Sequence, residues 1–203
     1  MTRFLLVVVL SSSAAAWAEG KTYRIDPQKS EVRVHVGKSG MFSFAGHEHQ
    51  VLAPEFEGEI QVDQEHLSAS SVKVAFVAKG LKVEEKGEGE GDAPKVQAAM
   101  DGPGVLDIAQ FPEIRFSSES VSGKEGPSGT YDLSLSGTLS LHGIQKAVSL
   151  PVKVVLAEGV LTASGHASLR QTDFKMSPVS VAGVVKVKDE VGIDFVIVAR
   201  PAP

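Results

Sequence analysis

The residues whose types and spacing best suit chemistry lie in "SFAGHEHQVLAP", residues 43–54. His47 and His49 flank Glu48 there. On an extended segment the side chains at i and i+2 share a face. Two imidazoles so placed could ligate one metal through neutral ring nitrogens. Glu48 points the opposite way unless the strand bulges at Gly46. Two ligands fall short of the four of a structural zinc and the three of a catalytic one. Three readings stand side by side. The pair could centre a metal-binding module or metal-dependent enzyme. It could form a polar rim that hydrogen-bonds the head group of a ligand held in an apolar site. It could simply be two strand-end histidines facing water. Of the remaining histidines, His142 belongs to a turn, and His35 and His166 fall on polar strand faces. Arg170 and Asp173 in "LRQTDF" could pair across a strand end or meet an anionic head group, because a guanidinium suits carboxylate or phosphate.

Other chemistries find no support. Cysteine is absent and there is no Gly-x-Ser-x-Gly elbow. The run "GEGEG" is acidic and repels phosphate, unlike a phosphate-cradling loop. No catalytic residue, no metal and no cofactor are expected, and the chain reads as a binding protein rather than an enzyme.

The elements that must position these residues are strands. In "EFEGEIQV", Phe56, Gly58, Ile60 and Val62 take one face, and Glu55, Glu57, Glu59 and Gln61 the other. In "YDLSLSGTLSL", Tyr131, Leu133, Leu135, Leu139 and Leu141 oppose Asp132, Ser134, Ser136, Thr138 and Ser140. "EVGIDFVIVA" aligns Val191, Ile193, Phe195 and Ile197. Similar alternation runs through Val32–Val36, Val72–Ala78, Ile114–Val121, Val148–Leu156, Leu161–Arg170 and Val184–Lys188. With Tyr23–Ile25 and residues 41–45, about nine or ten strands result, the pattern of an all-β sandwich or barrel. Turns fall at 122–129 and at "AEGV", 157–160. Residues 84–92 form an acidic, Gly-rich loop. One short helix follows in "APKVQAAM", with Asp92 as its cap and Gly102 and Pro103 beyond its end.

Strands of about ten residues are roughly 35 Å long and suit a tall barrel of about eight strands. The candidate lining is Val34, Phe42, Phe44, Phe56, Val74 and Phe76 in the first half of the chain. Phe116, Leu135, Leu139, Leu150, Phe174, Ile193 and Phe195 continue it, with Met100 and Met176 as adaptable members. Ordinary core packing is the competing role for each. Gly58, Gly137, Gly165 and Ala167 fall on the same faces and leave room for a ligand.

Composition sets the class and the setting. The chain has 203 residues and a formal charge of −5. Residues 1–18 read as a cleaved secretory signal: Arg3, an apolar run from Phe4 to Leu10, and Ala16-Trp17-Ala18 before Glu19. That run is too short to span a bilayer. Residues 19–203 then form one domain with net charge −6, which disfavours a nucleic-acid partner. A membrane barrel would carry aromatic girdles, and this chain has one Trp and two Tyr. The expectation is a free, soluble protein of the bacterial periplasm without stable membrane insertion. Its long β-rich edges admit a homodimer.

Four segments carry a family resemblance: "YRIDPQKSEVRVHV" after the signal, "FPEIRFSS" at 111–118, "GTLSLHGIQKAVSLPV" at 137–152 and "LRQTDFKMSP" at 169–178. Together they resemble the YceI-like family of secreted bacterial proteins, from about Tyr23 to Arg200. The resemblance implies a single extended, lipocalin-like antiparallel β-barrel. It implies a hydrophobic tunnel for a long isoprenoid chain, such as a polyprenyl lipid or quinone, or for a fatty acid or its amide. Many members carry Asp-x-His-Leu before the "FPEI" strand; here that region reads "GDAPKVQAAMDGPGVLDIAQ" and holds no histidine.

Overall fold

The computed structural model describes residues 20–39, 49–85, 92–178, 180–181 and 185–203. Phe42, Phe44 and His47 lie outside the described residues, as do residues 1–19.

Twelve strands appear in chain order. β1 is Lys21–Ile25, β2 Glu31–Ser39, β3 His49–Leu52, β4 Phe56–Val62, β5 Ser71–Val77 and β6 Lys82–Val83. β7 is Glu113–Glu125, β8 Thr130–Leu141, β9 Ile144–Ala157, β10 Val160–Arg170, β11 Ser180–Val181 and β12 Val185–Pro201. The short ones join end to end. β1 and β2 both pair along the same edge of β12, at Tyr23↔Pro201 and at Val34↔Ile193. β3 continues into β4, and β5 into β6, in the same way. The result is a closed antiparallel barrel of eight composite strands, each hydrogen-bonded to its neighbours in sequence and the last returning to the first. The expected fold class holds.

Closure uses tight turns. Glu158 (φ 51) and Gly159 (φ 75) link β9 to β10, and His142 (φ 50) and Gly143 (φ 71) link β8 to β9. Both central residues take positive φ, the two-residue turn whose twist matches flanking strands. Closure also satisfies most strand edges, so the reason for expecting a homodimer narrows to the few edges left unpaired.

One α-helix, α1 (Ala93–Asp101), lies between β6 and β7. Pro94 sits in its first turn, as expected, and Gly102 ends it. Asp92 does not cap it through its side chain; the carboxylate instead accepts from Lys95 Nζ at 2.9 Å. The backbone of Asp92 is already helical (φ −87, ψ −30), which removes the extended geometry a capping side chain needs.

The apolar phases of the strands turn inward. Phe56 and Ile60 on β4, Tyr131, Leu135 and Leu141 on β8, and Val191 and Ile197 on β12 are buried. Charges occupy the outer phase, including exposed Glu57, Glu59, Lys73 and Arg115. Among the described residues only Val155 and Val196 are large hydrophobics that stand exposed. No helix among them is long and apolar enough to cross a membrane.

Candidate ligand-binding site

The interior is not filled. Three cavities of about 430, 180 and 70 Å³ lie in a row along the barrel axis. They share walls: Ile60, Leu135 and Ala163 border the first and third, and Val32, Phe76 and Leu139 the first and second. On β8 the bordering residues run from Tyr131 to Leu141, ten steps or about 33 Å of strand. Removing packing costs about 24 cal/mol per Å³ of cavity. Native interiors otherwise hold few voids larger than a water molecule. A void of that size argues for use rather than loose packing.

Small residues hold the space open. Gly165 and Phe195 are paired across β10 and β12, and the ring lies over the glycine. Gly137 lets β7 approach: a Cβ there would stand 2.3 Å from Ser117 O. Ala163 and Ala167 leave the neighbouring wall thin.

Buried side chains gather at both ends. At the end where β7 meets β8, buried Tyr131 points inward, and Gln64 Nε2 donates to its hydroxyl at 3.1 Å. At the opposite end the segment after α1 packs against the barrel. Leu106, Met176 and Phe174 are buried there, and Met100 and Val105 border the 180 Å³ cavity. The 3-10 turn Gln171–Phe174 is anchored to β12. Asp189 accepts from Thr172 N (2.9 Å) and Oγ1 (2.7 Å), and Gln171 Nε2 donates to Lys188 O (2.8 Å). The Thr172 hydroxyl and amide hold the Asp189 carboxyl below the usual carboxylate value. His142 adds a contact between its Nδ1 and Phe174 O at 3.0 Å, and its ring meets Phe111 edge-on at 5.1 Å. It therefore ties the turn to this end of the barrel, beyond the turn role expected of it.

The residues expected to line the interior are placed unevenly. Val34, Val74, Phe76, Phe116, Leu135, Leu139, Leu150, Phe174, Ile193, Phe195, Met100 and Met176 all border the cavities. Phe56 faces inward but packs behind Phe76, with ring centroids 5.1 Å apart. The expected polar end divides. His49 pairs with Val36 and continues the inward row of Val51, half-buried near the α1 end. Arg170 is exposed on the outer phase of β10 and does not pair with Asp173, which belongs to the 3-10 turn that follows the strand. Asp173 meets Lys146 instead, at 4.0 Å, and both border the 430 Å³ cavity. Lys146 is a polar lining residue that the sequence reading did not single out. Its signal was legible: in "IQKAVSLPV" it shares the inward phase of Ile144, Val148, Leu150 and Val152.

His35 and His166 are not merely solvated. On the outer face both reach Asp194, at 2.8 and 2.7 Å, and the hydrogen bond from His166 holds that carboxyl below its usual value. Among the described residues no three His, Asp or Glu side chains are arranged to hold a metal ion.

Known proteins share this architecture. BcnA of Burkholderia cenocepacia superposes with a TM-score of 0.67 at 19% identity, covering 86% of this chain and 98% of that one. A polyisoprenoid binding domain from Saccharophagus degradans, implicated in plant cell wall breakdown, gives 0.63 at 13% identity, covering 89% and 98%. The YceI protein of Campylobacter jejuni gives 0.57 at 14%, covering 75% and 85%. At these identities the likeness is one of fold. A search of curated proteins returned no significant match. The sequence model of the YceI-like domain matches residues 23–199, from the first strand of the barrel to the last. The chain belongs to the YceI-like family.

Proposed function

We propose that this protein binds a long, predominantly apolar chain inside its barrel, as a carrier or store rather than a catalyst. The chain is of isoprenoid or fatty-acid type. The observation that carries the reading is the row of apolar cavities that share walls and together are tall enough for an extended chain. Burying such a chain gains about 25 cal/mol per Å² of apolar surface, with no polar partner needed along its length. The domain of Saccharophagus degradans described as polyisoprenoid binding has the same fold, which supports the ligand class.

The proposal includes the setting. Residues 1–18 act as a secretory signal, and residues 19–203 work in the periplasm as a soluble domain. The charged outer face supports solubility, since a membrane barrel turns its apolar face to lipid. N-terminal sequencing of the mature protein should begin at Glu19.

Native mass spectrometry after mild purification tests the function. One long-chain lipid per protein, released on denaturation, is the expected result. A barrel that neither carries nor takes up a prenyl or acyl chain overturns it.

A further inference from the structure

The ladder of the barrel is not complete along the whole of its side. The β9–β10 ladder runs from Ala157↔Val160 only to Lys153↔Ser164. Beyond it, Ile144–Val152 pairs with β8 alone, and Gly165–Arg170 with β12 alone. The cause is local. The two-residue turn makes Ala157 and Val160 a hydrogen-bonded pair, so alternate residues 155, 153 and 151 direct their backbone toward β10. Residue 151 is a proline, with no N–H to donate. The ladder stops there.

The cavity runs out through the resulting gap. In a paired strand only every second residue reaches the interior. Along β9 five consecutive residues, Lys146 to Leu150, border the 430 Å³ cavity, and along β10 Ala167, Ser168 and Leu169 do so. Outer-phase Ala147, Ser149 and Ser168 thus share a wall with inner-phase Val148 and Leu150. The 3-10 turn bearing Asp173 and Phe174 forms the lower lip.

We propose that the ligand enters and leaves through this gap between β9 and β10, and that its polar end, uncharged, rests there beside Lys146 and Asp173. The inference rests on the chain-binding reading above and adds the route and the end group. The ammonium of Lys146 and the carboxylate of Asp173 offer a donor and an acceptor whose charges cancel. The backbone groups of Ala147 and Ser149 face the gap without a ladder partner and extend the polar rim. An alcohol, amide or carbonyl end is satisfied by such a rim. A phosphate or carboxylate end must compete with Asp173 for the Lys146 ammonium and gains less from the pair than an uncharged end that uses both groups.

The chain has no cysteine, so introduced thiols are unique. Ser149→Cys with Ser168→Cys places one on each side of the gap, both exposed. Bridging them with a cleavable bifunctional thiol reagent should slow uptake and release of all-trans-retinol, followed by its fluorescence, by at least about tenfold. Cleaving the bridge should restore both rates. The same bridge between Val155→Cys and Thr162→Cys, a pair already in register, should change neither. Retinol rates that survive the first bridge overturn the side route. Should the double variant fail to fold, Ser168→Trp obstructs the gap alone and is read in the same way. Retinol should bind about tenfold more tightly than retinoic acid, which has the same chain and a charged end. Equal or tighter binding of retinoic acid overturns the end-group assignment. Failure of the unmodified protein to bind either probe overturns the chain-binding reading itself, a result distinct from unchanged rates.

Discussion

Gly165 on β10 lies beneath the ring of Phe195 on β12, so close that a Cβ at 165 would stand 2.5 Å from Phe195 Cζ. It would also stand 2.5 Å from Pro151 O, a backbone atom that cannot swing away. The glycine therefore lets the ring lie along the wall instead of across the cavity. Gly165→Ala should destabilise the fold by about 1–3 kcal/mol, the cost of overpacking a fitted interior. In a domain of this size that is roughly 2–4 °C of melting temperature per kcal/mol, readable by thermal denaturation.

Tyr131 should show separable roles. Tyr131→Phe removes the hydroxyl that accepts from Gln64 and should cost about 1 kcal/mol. Tyr131→Ala removes the buried ring at this end and should cost about 3–5 kcal/mol, as large-to-small aromatic changes do. Denaturant titration of the two variants distinguishes the hydrogen bond from the packing of the ring.

Asp189 should make the turn at Gln171–Phe174 sensitive to acid. Its carboxyl is held low in the folded state by Thr172, and an unfolded aspartate titrates near 3.9. A folded value below the unfolded one adds stability above about pH 4 that is lost as pH falls through the folded value. Asp189→Asn should therefore be less stable than the parent at pH 7, and the difference should shrink toward pH 3. Melting curves at the two pH values check the sign.

The barrel was legible because its strands alternate cleanly. Phe56, Gly58, Ile60 and Val62 announce an inward face by period alone. The short helix was legible from Pro94 and Gly102. What alternation could not show is where pairing stops. The side gap is a missing ladder, and only Pro151, an unusual residue inside a strand, hints at it. Lys146 escaped notice because a strand lysine is ordinarily read as solvated, although its phase with Val148 and Leu150 put it on the inner face. Arg170 and Asp173 looked like partners in sequence, but one ends a strand on its outer phase and the other belongs to the turn that follows. The histidines that opened the question divide: His49 keeps the inward register of Val51, and His47 lies outside the described residues.

The central claim is that the cavity itself receives the chain, and filling it tests that most directly. Ala167 sits on the inner phase of β10 and borders the central cavity of about 430 Å³. In Ala167→Trp the indole should occupy the space meant for the ligand. The account predicts a folded variant with melting temperature equal to or above the parent's and retinol affinity lowered by at least about 100-fold, some 2.7 kcal/mol. A folded Ala167→Trp protein that binds retinol as tightly as the parent would contradict it.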